Sequence, residues 1–110
     1  MAPKRFSPQA RDAAHILGGQ VAGARRRRRW TAARLAEQAG ISEPTLRKVE
    51  RGDPSVALGT AFEVAAIVGV PLFGVDAERL AELSDRVEDR IALLPGRVMG
   101  IDDRTLDDDF

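Results

Sequence analysis

The sequence of 110 residues predicts an all-α fold. Several segments carry apolar residues at spacings of three and four, which is the repeat of one helix face. Glycine or proline ends these segments at short intervals, so the helices are expected to be short. The length allows one domain with a modest core and a small appendage.

The first predicted helix runs from about Pro8 to Arg28. Ala14, Leu17, Val21 and Ala24 recur at helical spacing and are expected to form its inner face. Three glycines within this segment weaken the prediction, because glycine lowers helix stability.

Two short helices joined by a tight turn are predicted next, at about Thr31–Ala39 and Ser42–Arg51. Thr31 and Ser42 are favourable N-cap residues, and Gly40 suits the corner between the helices. Two helices joined in this way form a helix-turn-helix unit. A further helix is expected over about Leu58–Val68, ended by Gly69 and Pro71.

The last third of the sequence is predicted to form an appendage to the helix-turn-helix domain. Asp76 can cap a helix that carries Leu80, Leu83, Val87 and Ile91 on one face. The segment Arg97–Ile101 is compatible with a short strand, which would need a partner strand from a second copy. We expect a flexible arm over 1–10, the helix-turn-helix domain over 11–75, a dimerisation or partner-contact segment over 76–101 and a disordered acidic tail over 102–110.

Charge is distributed unequally although the net charge is zero. Residues 1–52 carry 12 basic and 4 acidic side chains, a balance of +8, whereas residues 53–110 carry 5 and 13, a balance of −8. Such asymmetry suggests a polyanionic partner for the basic half. The alternative is an ordinary solvated surface.

Composition argues against an enzyme. The chain has one histidine and no cysteine, too few for the usual metal sites, and no metal or cofactor is expected. No nucleophile elbow surrounds any serine, and no phosphate-binding loop follows the glycines. Without a signal region or a membrane-length apolar stretch, the protein is expected in the cytoplasm.

The joint spacing of these residues resembles the phage-repressor-like helix-turn-helix family, often called the Xre or Cro/C1 type. The resemblance covers about residues 15–75. Two positions depart from the family pattern: Ala32 replaces a phosphate-contacting glutamine, and Arg29 replaces a glycine. The matching residues are Ala24-Arg25, Arg28, Trp30-Thr31, Leu35-Ala36, Gly40-Ile41-Ser42, Leu46, Val49-Glu50, Gly52, Pro54-Ser55 and Gly69-Val70.

A narrower resemblance is to HipB-type antitoxins, and it rests on the run Glu50–Thr60 and on Leu94–Val98. That resemblance implies a homodimer that binds its own palindromic operator and holds a HipA-like serine/threonine kinase toxin inactive. A stand-alone phage-type regulator and a protein-interaction adaptor that retains the fold without DNA binding are the alternatives.

In such a domain the N-terminal part of the second helix of the motif enters the major groove. This places Glu43, Pro44, Thr45 and Lys48 at the base edges. Lys48 can donate to guanine, Glu43 can accept from cytosine N4, and Thr45 can contact a thymine methyl group. Pro44 contributes shape and apolar contact only. Glu43 is explained equally well by a favourable interaction with the helix N-terminus.

Phosphate contacts are expected from the same helix and from the arginine run 25–29. Cations at the end of the first helix also interact favourably with its dipole. Since consecutive helical residues point in different directions, two or three of the five arginines are expected to face phosphate. The predicted phosphate contacts are Arg27, Arg28, Arg29, Thr31, Ser42, Arg47 and Arg51.

Two residues near this surface are expected to be structural. Arg25 resembles the family arginine that pairs with the carboxylate at the position of Glu50. Trp30 precedes the N-cap Thr31, where an apolar residue packs against the helix that follows. We therefore place Trp30 in the core.

Overall fold

A computed structural model describes residues 5–96. This part of the chain is helical and contains no strand, which confirms the predicted all-α class for the described residues. The predicted strand at Arg97–Ile101 and the acidic tail lie outside the described residues. The helices are α1 (Pro8–Arg27), α2 (Ala32–Ala39), α3 (Glu43–Glu50), α4 (Leu58–Ile67) and α5 (Ala77–Ala92), with a 3-10 turn at Leu72–Gly74.

The predicted helices are confirmed to within one or two residues at each end, and a side-chain cap marks the start of each of them except α4. Thr31, Ser42 and Asp76 each accept a hydrogen bond from the backbone N–H three residues further on, at 3.0, 3.2 and 2.8 Å. Such caps satisfy N–H groups that the helix leaves without partners. Gly40 adopts φ +67° at the end of α2, as the tight corner requires. Residues 8–10, included in the predicted arm, belong to α1.

The core lies among the first four helices. Leu35 of α2 and Leu46 of α3 are completely buried, as are Val21 of α1 and Val64 of α4. Removing these side chains from water is the main favourable contribution to folding. The buried apolar set is Val21, Ala24, Leu35, Ala36, Leu46, Val49, Val64, Ala65, Val68 and Val70.

The glycines of α1 allow the close approach of α3. A Cβ on Gly18 would collide with the carbonyl oxygen of Val49 and would lie 2.9 Å from that of Glu50. A Cβ on Gly52, which adopts φ +76°, would likewise collide with the backbone of His15. The sequence suggested only that glycine weakens this helix, whereas Gly18 is needed where α1 crosses the end of α3.

The chain separates into two compact units, Met1–Val75 and Asp76–Phe110. The second unit contains α5, whose apolar residues follow one stripe as predicted. Val87 and Ile91 of this stripe are each more than half exposed, as is Leu94 beyond the end of the helix.

Replacement of Gly18 tests the crossing of α1 and α3. We expect Gly18→Ala to lower the free energy of unfolding by about 1–3 kcal/mol, because the added methyl group must displace backbone atoms of α3. Gly19→Ala is the matched control: nothing lies within 4 Å of its Cβ position, and it should stabilise α1 by about 0.5–1 kcal/mol. Urea denaturation measures the free energy of unfolding of both variants. Equal changes in the two variants would show that the crossing of α1 and α3 is not tight.

Candidate DNA-binding surface

A bidentate ion pair joins the end of α1 to the end of α3. Nε of Arg25 donates to Oε2 of Glu50 at 2.7 Å, and Nη2 donates to Oε1 at 2.9 Å. Nη1 of the same guanidinium donates to the carbonyl oxygen of Trp30 at 3.0 Å. Both side chains are only 13% exposed, and hydrogen bonding to Glu50 raises the pKa of Arg25 above its ordinary value. The expected structural role of Arg25 is confirmed.

The outer face of α3 is polar and accessible. Leu46 and Val49 point into the core, while Pro44, Arg47, Lys48 and Arg51 are exposed. This arrangement follows from helical periodicity, since residues that flank the two buried positions must point away from them. The N-terminal end and outer face of α3 are therefore available to a ligand.

Two predicted base contacts already have partners in this structure. Oε2 of Glu43 accepts from Nη2 of Arg47 at 3.2 Å, one turn along α3. The hydroxyl groups of Thr45 and Ser42 lie 2.9 Å apart, and both residues remain near the start of the helix. Glu43 and Thr45 are half-buried. Binding through Glu43 would therefore require its exposed ion pair with Arg47 to open, at small cost.

The arginines at the end of α1 diverge, as consecutive residues should. Arg27 is the last residue of α1, Arg28 caps it, and Arg29 turns away at φ +60°. All three are exposed. A left-handed φ explains why the family pattern has glycine at the position of Arg29, since a side chain there costs about 1–2 kcal/mol. The chain retains a cation at this position although glycine would fit better.

Trp30 has a second role that the sequence did not reveal. It packs against the core as expected, but it is half-buried, not enclosed. The Arg34 guanidinium lies over its ring at 4.4 Å from the centroid, and the Arg28 guanidinium at 5.7 Å. Arg34 was absent from the predicted contacts. The four-residue spacing from Trp30 to Arg34 is the sequence signal that could have indicated it.

The loop after α3 is held by a short polar turn. Asp53 accepts hydrogen bonds from the hydroxyl group and the backbone N–H of Ser55, at 2.6 and 2.9 Å. These bonds lower the pKa of Asp53, the hydroxyl group contributing most. The turn leads the chain from the end of α3 to α4.

A helix-turn-helix family model matches residues 22–75. Over these residues the chain is similar to the helix-turn-helix family. The match extends from the last turn of α1 through Val75, and confirms the helix-turn-helix part of the predicted resemblance. The family is one of DNA-binding regulators, so the domain indicates a sequence-specific regulator of this class. The narrower resemblance to HipB-type antitoxins stays a prediction.

No curated protein and no solved structure matches the chain. Within residues 5–96, histidine and carboxylate side chains form no group that could hold a metal ion. The helices of this segment are too short or too polar to cross a membrane.

Breaking the ion pair between Arg25 and Glu50 should destabilise the domain strongly. We expect Glu50→Gln to cost about 3 kcal/mol, because it leaves a nearly buried guanidinium without its counter-charge. Glu43→Gln makes the same chemical change at an exposed ion pair and should cost less than about 1 kcal/mol. Chemical denaturation measures the free energy of unfolding of both variants. Similar losses of stability in Glu50→Gln and Glu43→Gln would contradict the assigned role of Arg25.

Proposed function

We propose that the protein is a sequence-specific DNA-binding transcriptional repressor. The observation that carries the proposal is the exposed, polar outer face of α3, in a helix whose far end is fixed to α1 by Arg25 and Glu50. A rigid helix with an accessible polar face suits the major groove, where base edges are distinguished.

Base readout is assigned to Glu43, Pro44, Thr45 and Lys48. The exposed Lys48 ammonium can donate to guanine O6 or N7, and the Glu43 carboxylate can accept from cytosine N4. Thr45 would contact a thymine methyl group, and Pro44 would contribute shape only. The chemistry and position of these side chains support the assignment.

Phosphate contacts are assigned to residues that flank α3 and α2. Arginines at the end of α1 and on the outer face of α3 supply cations, and the two N-caps supply hydroxyl groups at the helix starts. The balance of +8 over residues 1–52 supports attraction to a polyanion. The proposed set is Arg27, Arg28, Arg29, Thr31, Ser42, Arg47 and Arg51.

A homodimer that reads a palindrome is proposed, because one short recognition helix contacts too few base pairs for useful specificity. The exposed Val87 and Ile91 on α5, with the exposed Leu94 that follows the helix, support self-association through the second unit. Two-fold symmetry would double the number of base contacts.

The finer part of the proposal is an antitoxin that represses its own operon and restrains a HipA-like serine/threonine kinase. It rests on the resemblance of Glu50–Thr60 and Leu94–Val98 to HipB-type antitoxins. The acidic balance of residues 53–110 supports a basic protein partner for this half, since DNA would repel it.

Substitutions on α3 test base readout. With a site selected from random duplexes, we expect Lys48→Ala to reduce the preference for that site over a scrambled one by about 1–3 kcal/mol. Arg47→Ala, the matched control on the same helix, should weaken both duplexes equally, because phosphate contacts carry no sequence information. Fluorescence anisotropy measures each affinity. An unchanged ratio for Lys48→Ala would show that α3 does not read bases.

Truncation before Asp102 tests the antitoxin proposal. We expect operator binding to survive and binding to a HipA-type kinase to weaken when the acidic segment Asp102–Phe110 is removed. Calorimetry measures operator binding and kinase binding for the full chain and for the truncated chain. No binding of the kinase to the full chain would contradict the antitoxin role. Equal binding by both chains would show that the segment only aids solubility.

A further inference from the structure

Two guanidinium groups share one indole ring in the helix-turn-helix domain. The ring of Trp30 carries Arg34 at 4.4 Å and Arg28 at 5.7 Å, both within the range of cation–π attraction. The ring itself is held in place, since it packs against the core and its backbone carbonyl accepts from Arg25. Trp30 is thus a fixed support for two guanidinium groups.

Neither cation has a carboxylate partner among residues 5–96. Glu37 follows Arg34 by three residues, a spacing that permits an ion pair on a helix, yet no such pair forms. Arg34 also lies in the first turn of α2, where a cation opposes the helix macrodipole. The dipole of α2 therefore does not account for a cation at this position.

Arg28 lies on its other side against Gly69, which follows α4. Its Nη2 lies 2.7 Å from where a Cβ of Gly69 would be, so the absence of a side chain there leaves room for the guanidinium. Two like charges are held near one ring without a counter-charge in the described residues. An anion at this place would relieve their repulsion.

We propose that Trp30 is a positioning residue that holds Arg34 and Arg28 for contact with DNA backbone phosphates. The proposal rests on the proposed DNA binding and adds Arg34 to its contacts. A guanidinium stacked on an indole keeps the N–H groups of its edge free for a phosphate, and its planar fork matches phosphate oxygens. Ala32 and Ala33, which precede Arg34 in α2, have no polar side chain that could contact a phosphate.

The test uses the full chain and a labelled duplex of mixed sequence, because phosphate contacts do not depend on sequence. We expect Arg34→Gln to make the slope of log affinity against log salt shallower by about 0.9 per subunit. Arg79→Gln removes an equal charge from the exposed pair with Glu82 on α5 and should leave the slope unchanged. An unchanged slope for Arg34→Gln would overturn the proposal.

The positioning role of Trp30 has a separate readout. Trp30→Phe keeps an apolar ring with weaker cation–π attraction, and we expect it to lower affinity several-fold at an unchanged number of charges. In a double-mutant cycle, Arg34→Gln should then cost less than it does in the native chain. Strict additivity would overturn the positioning role.

Fluorescence distinguishes failure of this inference from failure of DNA binding. The chain has one tryptophan and no tyrosine, so its emission reports the surroundings of Trp30. Addition of duplex should change the emission of the native chain and change that of Arg34→Gln much less. Binding by anisotropy with no change in emission would overturn the proposal alone. Absence of binding by the native chain would overturn the proposed function as well.

Discussion

The bidentate contact between Arg25 and Glu50 is the interaction on which the helix-turn-helix domain depends. It joins residues 25 positions apart, and its third hydrogen bond reaches the backbone of Trp30, just before α2. One guanidinium therefore fixes the end of α1, the end of α3 and the approach to α2. At 13% exposure, its charges are shielded from water, so loss of either partner leaves a costly unpaired ion.

The rigid placement of α3 has a consequence for the polar surface around it. Because Gly18 admits the end of α3 against α1, the backbones of the two helices approach closely at this crossing. The Arg25–Glu50 pair also joins these two helices, so the last turn of α1 is held against the end of α3. Hydrophobic burial of Leu46 and Val49 decides which side of α3 remains outside.

Several residues of this surface have conformations that fold stability alone does not favour. Arg29 adopts a left-handed φ, and Arg34 places a cation in the first turn of α2. Local strain of this kind is characteristic of functional positions, where the surrounding structure maintains it. In this domain the surrounding structure is the core beneath Trp30 and the ion pair beside it.

The sequence by itself determined the helices, because Thr31, Ser42 and Asp76 make caps with backbone groups three residues away. It also determined which side of each short helix is buried, since helical periodicity is a local property. The pairing of Arg25 with Glu50 followed from a family resemblance, as composition and spacing do not indicate it.

Only the tertiary structure decided the close approach at Gly18 and the arginines over Trp30. Each depends on side-chain direction or on atoms from another helix, which no local pattern specifies.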